Sequence, residues 1–135
     1  MLSQGISETA AHVIPVLAMH GSEGNGPEFV QQLEPLVESL SKHHVDLQLT
    51  AITAPFAKGT GGGFAWCAMP PGVQSFAAKE FEGFETSASL LLDTMKEQGP
   101  FDAVLGHSQG AILISALPLF WHSNASRPIC AWVPY

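Results

Sequence analysis

The chain has 135 residues and a formal net charge of −7, from five Lys+Arg and twelve Asp+Glu. This length allows one domain or part of one, and a hydrophobic content of 46% is typical of a packed globular protein, not a disordered one. The acidic balance leaves no basic stripe to neutralise phosphates, so we expect no nucleic-acid partner and a neutral or apolar substrate.

The cysteines and the N-terminal region indicate where the protein works. Cys67 and Cys130 lie in unrelated contexts without the CxxC spacing of zinc or redox sites, and we expect reduced, packed thiols. Residues 1–11 have no cationic start, and the apolar run 13–19 is too short to span a bilayer. These patterns predict a soluble cytoplasmic protein with no membrane span.

The first half of the chain alternates between strand and helix patterns. The continuous apolar run 13–19 predicts a strand buried on both faces. Pro27 opens an amphipathic helix with apolar side chains at helical spacing over residues 29–40, and Pro35 is a candidate kink. Period-two alternation over residues 45–51 predicts a second strand.

The second half repeats this alternation after a long loop. Residues 58–83 are rich in Gly and Pro and have no sustained period, which is typical of functional or mobile loops. Residues 84–95 have the spacing of a second amphipathic helix, and residues 101–106 form another candidate buried strand. The run after Ser108 is apolar on all sides, as in a buried helix, and residues 129–133 begin one more strand. The pattern predicts an α/β fold with a mostly parallel sheet and flanking helices.

The strongest chemical signal is the sequence Gly-His-Ser-Gln-Gly at residues 106–110. It stands where a buried strand leads into a buried helix, and a sharp turn at that place exposes and aims a serine hydroxyl. Gly106 and Gly110 let neighbouring backbone approach without a Cβ clash. Such a string arises by chance about one time in ten in a chain of this composition. We therefore predict that Ser108 is a nucleophile because the motif lies between a strand and a helix.

A nucleophilic serine of this kind needs an oxyanion hole made of two N–H donors. The N–H of Gln109 lies at the start of the helix, where partial positive charge stabilises a tetrahedral oxyanion. The second donor comes from the loop after an early strand. His20-Gly21 ends such a strand, so the N–H of Ser22 or Glu23 is the candidate. An ordinary Gly-rich turn is the alternative for this loop.

Several stretches of the sequence are characteristic when they are taken together. They are Val-Leu-Ala-Met-His-Gly at 16–21, Ala-Pro-Phe at 54–56, Phe-Ala-Trp at 64–66, and above all residues 99–111, where Gly-Pro-Phe-Asp leads into Gly-His-Ser-Gln-Gly-Ala. With these stretches the chain resembles the FSH family of serine hydrolases, within the α/β-hydrolase superfamily, over most of residues 13–133. Many relatives carry Phe at the position of His107.

The resemblance implies a fold, an activity and a substrate class. The fold is an α/β-hydrolase-type sheet. The activity is hydrolysis of a small-molecule carboxylic ester or thioester through an acyl-enzyme on Ser108, with no metal and no organic cofactor.

The general base is the difficult part of the sequence. Hydrolases of this fold place an acidic residue and then a histidine after the serine, yet residues 109–135 contain no Asp or Glu and only His122. That histidine stands at or just past the end of the serine's own helix and should not reach back. Upstream, His107, His20 and the pair His43-His44 are poor substitutes on geometric grounds.

The predicted sheet also stops early. Residues 129–133 would form an interior strand, and nothing after them covers that edge. Together with the absent acid and histidine, the open edge predicts that residues 1–135 are the N-terminal portion of a single α/β-hydrolase domain whose C-terminal part is missing. The open edge also allows self-association. A fragment, a shortened isoform and an incomplete gene model are equally compatible with this reading.

Two function classes follow from the sequence. The first is the serine hydrolase described above, whose activity in this chain is in doubt without the acid and the histidine. The second is a non-catalytic α/β domain that keeps the pocket and binds an acyl ligand or a protein partner.

Three weaker features have structural interpretations. Asp102 lies at the opposite end of its strand from Ser108 and is expected to be structural. The glycine-rich residues 59–63 lack the Gly-Lys-Ser/Thr ending of a phosphate-binding loop and are expected to form a flexible loop. Four aromatic residues either line an acyl pocket or pack beneath the long loop: Phe64, Trp66, Phe76 and Phe81.

Overall fold

The computed structural model describes residues 11–59, 61–68 and 82–117, and the backbone of residues 129–132. These residues build a parallel sheet with helices on both faces. In chain order the elements are β1 (His12–Met19), α1 (Gly26–Ser41), β2 (Val45–Ile52), β3 (Phe56–Ala57), β4 (Phe64–Ala65), α2 (Phe84–Gln98), β5 (Ala103–Gly106), α3 (Gln109–Ala116) and β6 (Ile129–Trp132).

The main sheet has the strand order β2-β1-β5-β6, and its neighbouring strands are parallel. Met19, at the end of β1, pairs with Ile52 on one side and with Gly106 on the other. The chain runs from β1 to β2 and then crosses to β5 on the other side of β1. Such a reversal opens a crevice outside the carboxyl ends of β1 and β5, which is where ligands bind in open α/β sheets.

Successive residues of β1 face opposite helix layers. Leu17 and Met19 pack into a core with α2 and α3, whereas Val16 and Ala18 pack against α1. All four side chains are at most 3% exposed. Because both faces of β1 are covered, its sequence is a continuous apolar run and not an alternating one. This confirms the mostly parallel α/β architecture predicted from the sequence.

The helices begin and end at local signals. Asn25 caps α1, since its side chain accepts the N–H of Glu28 at 2.9 Å. The helix continues through the exposed Pro35, so this proline does not end it. α2 ends before Gly99.

The loop predicted over residues 58–83 contains part of a β-hairpin that the sequence pattern did not reveal. β3 and β4 pair antiparallel, and the glycine-rich stretch 58–63 connects them. Strands of two residues are too short to show a hydrophobic period. Residues 69–81, which include Phe76 and Phe81, lie outside the described residues.

Two further points concern the sheet edge and the membrane. The backbone of β6 pairs in parallel with β5, as predicted for residues 129–133, although residue 133 itself is not described. Within the described part of the chain, none of the helices is both long and apolar enough to cross a membrane.

Candidate active site

Ser108 occupies the turn between β5 and α3. Its backbone has φ 52° and ψ −115°, a region that residues with a side chain rarely adopt. Such a conformation costs on the order of 1–3 kcal/mol and persists only where the surrounding structure imposes it. A strained strand-to-helix turn of this kind is what lifts a serine hydroxyl out of the backbone of a nucleophile elbow.

Two glycines allow this turn to close. A Cβ built on Gly106 would lie 2.8 Å from the backbone nitrogen of Ala111, inside α3. A Cβ on Gly110 would lie 2.5 Å from the carbonyl oxygen of Met19 and 2.7 Å from that of His20. The start of α3 therefore rests directly on the end of β1, and neither position has room for a side chain.

The loop after β1 packs against the same turn. A Cβ on Gly21 would lie 2.8 Å from Nδ1 of His107 and 3.4 Å from Cβ of Ser108. Gly21 therefore brings the backbone of Ser22 next to the serine. The structure thus assembles the loop and the turn that the sequence assigned to one site, at the switch point between β1 and β5.

The two candidate oxyanion donors of this loop differ in their hydrogen bonds. The N–H of Glu23 donates to the carbonyl oxygen of Phe64 at 2.9 Å and is committed to β4. The N–H of Ser22 has no hydrogen-bond partner among the described residues. Of the two N–H groups, that of Ser22 is the one that is not already engaged among the described residues.

His20 is locked in the neutral form. The N–H of Ala54 donates to its Nε2 at 2.9 Å, so Nε2 carries no proton, and Nδ1 donates to the carbonyl oxygen of Gly21 at 2.6 Å. The side chain is 2% exposed. Burial lowers the pKa of His20, and the bond to Gly21 opposes this effect only in part. With both ring nitrogens engaged, His20 is not placed to act as a base.

The remaining described histidines do not bond to the serine either. His43 and His44 lie in the turn before β2, and the carbonyl oxygen of His44 accepts the backbone N–H of His12 at the amino end of β1. β1 has 8 residues, so that end lies roughly 23 Å from the site. The exposed ring of His107 packs near Phe29, with 6.4 Å between ring centroids.

The sequence predicted that His122 does not reach Ser108 and that Asp102 is a structural residue. No hydrogen bond joins Ser108 Oγ to a histidine among the described residues, and His122 is outside them. Asp102 is exposed at the start of β5, where its backbone N–H donates to Pro15. It lies at the opposite end of the strand from Ser108.

Trp66 joins the elements around the site through hydrogen bonds that the sequence did not predict. Its backbone N–H donates to Oε1 of Gln109 at 2.6 Å, and its indole N–H donates to the carbonyl oxygen of His20 at 2.7 Å. Its carbonyl accepts the hydroxyl of Ser87 on α2 at 2.6 Å. The side chain is fully buried. It belongs to the same hydrophobic core as Leu17 and Met19 of β1.

A cation also lies next to the loop after β1. Nζ of Lys58 donates to Oγ of Ser22 at 2.9 Å. Cys67 is a buried thiol, as expected; burial raises its pKa, and the charge of Lys58 partly offsets that rise. Among the residues that the structure describes, no three His, Cys, Asp or Glu side chains gather in a way that could hold a metal ion.

Comparison with known families gives one match. The model of the family Serine hydrolase (FSH1) matches residues 10–127. The chain belongs to this family. The match spans the loop after β1, the hairpin and Ser108, and it confirms the resemblance seen in the sequence. The FSH1 family is α/β-hydrolase-like, and the sheet and flanking helices described here have that type of fold. A search of curated proteins found no match.

Proposed function

We propose that this FSH1-family chain hydrolyses carboxylic esters or thioesters through an acyl-enzyme on Ser108. The observation that carries the proposal is the strained turn at Ser108, with φ 52°, at the carboxyl end of β5. The loop containing Gly21 and Ser22 packs against that turn. Membership of a serine hydrolase family supports the same chemistry.

The proposed reaction has two stages. In the first, Ser108 Oγ attacks the carbonyl carbon, its proton passes to a base, and the carbonyl oxygen becomes an oxyanion. The N–H groups of Ser22 and Gln109 stabilise this oxyanion, the latter at the positive end of α3. The intermediate collapses, the alcohol or thiol leaves with a proton, and the acyl group stays on Ser108. Water then attacks the acyl-enzyme and releases the carboxylic acid.

The test is labelling of the purified chain with a fluorophosphonate, which reacts with an activated serine hydroxyl. We expect labelling of the native chain and none of Ser108→Ala. Ser115→Ala is the matched control, because Ser115 lies on the same helix and its hydroxyl bonds back to the carbonyl of Ala111. A folded native sample that does not label would refute the proposal that this chain is itself a hydrolase.

A non-catalytic acyl-binding domain is the second candidate. It is favoured by one observation, that Ser108 Oγ has no histidine bonded to it among the described residues. This candidate predicts a folded protein that binds acyl ligands or a protein partner and does not react with the fluorophosphonate.

Two expectations from the sequence remain predictions. Self-association through the edge next to β6 is tested by sedimentation of the purified chain. The buried thiol of Cys67 supports a reducing compartment, and we propose the cytoplasm, which imaging of a tagged chain in cells would test.

A further inference from the structure

The ammonium group of Lys58 lies beside the candidate oxyanion loop. Its Nζ donates to Oγ of Ser22 at 2.9 Å, and Ser22 follows the glycine that packs on Ser108. Among the described residues no carboxylate forms an ion pair with Lys58. The neighbouring carboxylate, Glu23, has its Oε1 beside Gly59 instead, 3.1 Å from where a Cβ would stand.

The backbone holds Lys58 in this position. Its N–H donates to the carbonyl oxygen of Gly63 at 2.9 Å, which closes the turn between β3 and β4. The hairpin is docked on the loop after β1 by a bridge between Gly24 and Phe64. The charge of Lys58 also acts on the buried thiol of Cys67, where it opposes the effect of burial on the pKa. The backbone that carries the Lys58 side chain is therefore fixed beside the loop after β1.

We propose that Lys58 and Ser22 form a subsite for a carboxylate carried by the ester or thioester substrate. This inference rests on the proposed function, because it places the subsite next to Ser108. An ammonium has three N–H donors, and Ser22 Oγ accepts only one of them. Since Ser22 Oγ accepts from Lys58, its own hydroxyl proton is left to donate to the ligand.

The hydrogen-bond donors of Lys58 and Ser22 indicate which class of anion binds. One ammonium and one hydroxyl suit the single charge and two oxygens of a carboxylate. Phosphate sites often add the fork of an arginine or several backbone N–H groups to a lysine. The formal charge of −7 on the chain also disfavours a dianion. The local cation thus modifies the expectation of a neutral substrate that followed from net charge alone.

The experiment compares two ketones that contain no ester or thioester bond, levulinate and its uncharged amide, levulinamide. Binding is followed by NMR titration of the amide signals of Ser22 and Ser108, so it does not depend on catalysis. We expect levulinate to bind about fivefold more tightly than levulinamide to the native chain. Added salt should reduce this preference, because the Debye length shortens.

Three variants test whether Lys58 causes the preference for levulinate over levulinamide. Lys58→Gln should abolish it and Lys58→Arg should keep it. Lys96→Gln, which removes the same charge from the exposed last turn of α2, should leave it unchanged. If Lys58→Gln does not fold, the salt dependence of the native chain and the Lys58→Arg titration carry the test.

Three other results would overturn the proposal, and each of them contradicts a different part of it. Equal binding of the two ketones would overturn the carboxylate subsite and leave the serine hydrolase proposal standing. A preference that survives in Lys58→Gln would overturn the role of Lys58. Binding of neither ketone would overturn the subsite, while fluorophosphonate labelling reports independently on Ser108.

Discussion

Oε1 of Gln109 lies 2.6 Å from the backbone nitrogen of Trp66, and both side chains are fully buried. Gln109 is the residue that follows Ser108, so this hydrogen bond ties the first turn of α3 to the end of β4. Through Trp66 the same connection reaches His20 and Ser87. The turn at Ser108 is therefore braced from the side of the hairpin as well as from β5.

Gln109→Leu should lower the free energy of unfolding by about 1–3 kcal/mol, because it leaves the buried N–H of Trp66 without its acceptor. Chemical denaturation followed by circular dichroism measures the change. Gln31→Leu, on an exposed position of α1, is the control and should change stability by no more than about 0.5 kcal/mol. Equal effects of the two substitutions would show that the hydrogen bond to Trp66 contributes nothing measurable.

Gly110→Ala should lower the free energy of unfolding by about 1–3 kcal/mol. The added methyl group meets the backbone carbonyl oxygens of Met19 and His20, which cannot rotate away. The substitution should also slow any labelling of Ser108. Gly61→Ala is the control, because among the described residues beyond its chain neighbours no atom lies within 4 Å of a Cβ built there. A Gly110→Ala variant as stable as Gly61→Ala would contradict the close contact between α3 and β1.

The stability of the chain should fall in mild acid because of His20. Burial holds its folded pKa below the value of 6.5, so the unfolded chain binds a proton first as the pH decreases. The contribution is complete above about pH 6.5 and is lost as the pH falls from there through the folded pKa. Unfolding at a series of pH values measures this slope.

Two histidine variants separate this effect from other titrations. His20→Gln cannot titrate and should have a smaller dependence of stability on pH below about pH 6.5 than the native chain. His43→Gln, in the exposed turn before β2, should retain the native dependence on pH. An unchanged slope in His20→Gln would show that His20 is protonated as easily in the folded chain as in the unfolded one.

Much of the fold was predictable because its signals are local. The apolar run of β1 and the cap at Asn25 each act within a few residues, and so does the strand-to-helix context of Ser108. The contacts around the site were not predictable in this way. Trp66 bonds to residues that are 46, 43 and 21 positions away, and Lys58 meets Ser22 across 36 positions. Such pairings depend on how β3 and β4 dock, and a two-residue strand has no period to reveal it.

The strain at Ser108 should reverse the usual order of glycine and alanine. Glycine adopts positive φ without a steric penalty, so Ser108→Gly should be more stable than Ser108→Ala by about 1 kcal/mol. At Ser115, inside α3 and not at a positive φ, the alanine variant should instead be more stable by about 1 kcal/mol. Thermal and denaturant unfolding of the four variants gives both differences. The same order at both positions would mean that the turn is not strained, which would remove the structural basis for assigning the nucleophile to Ser108.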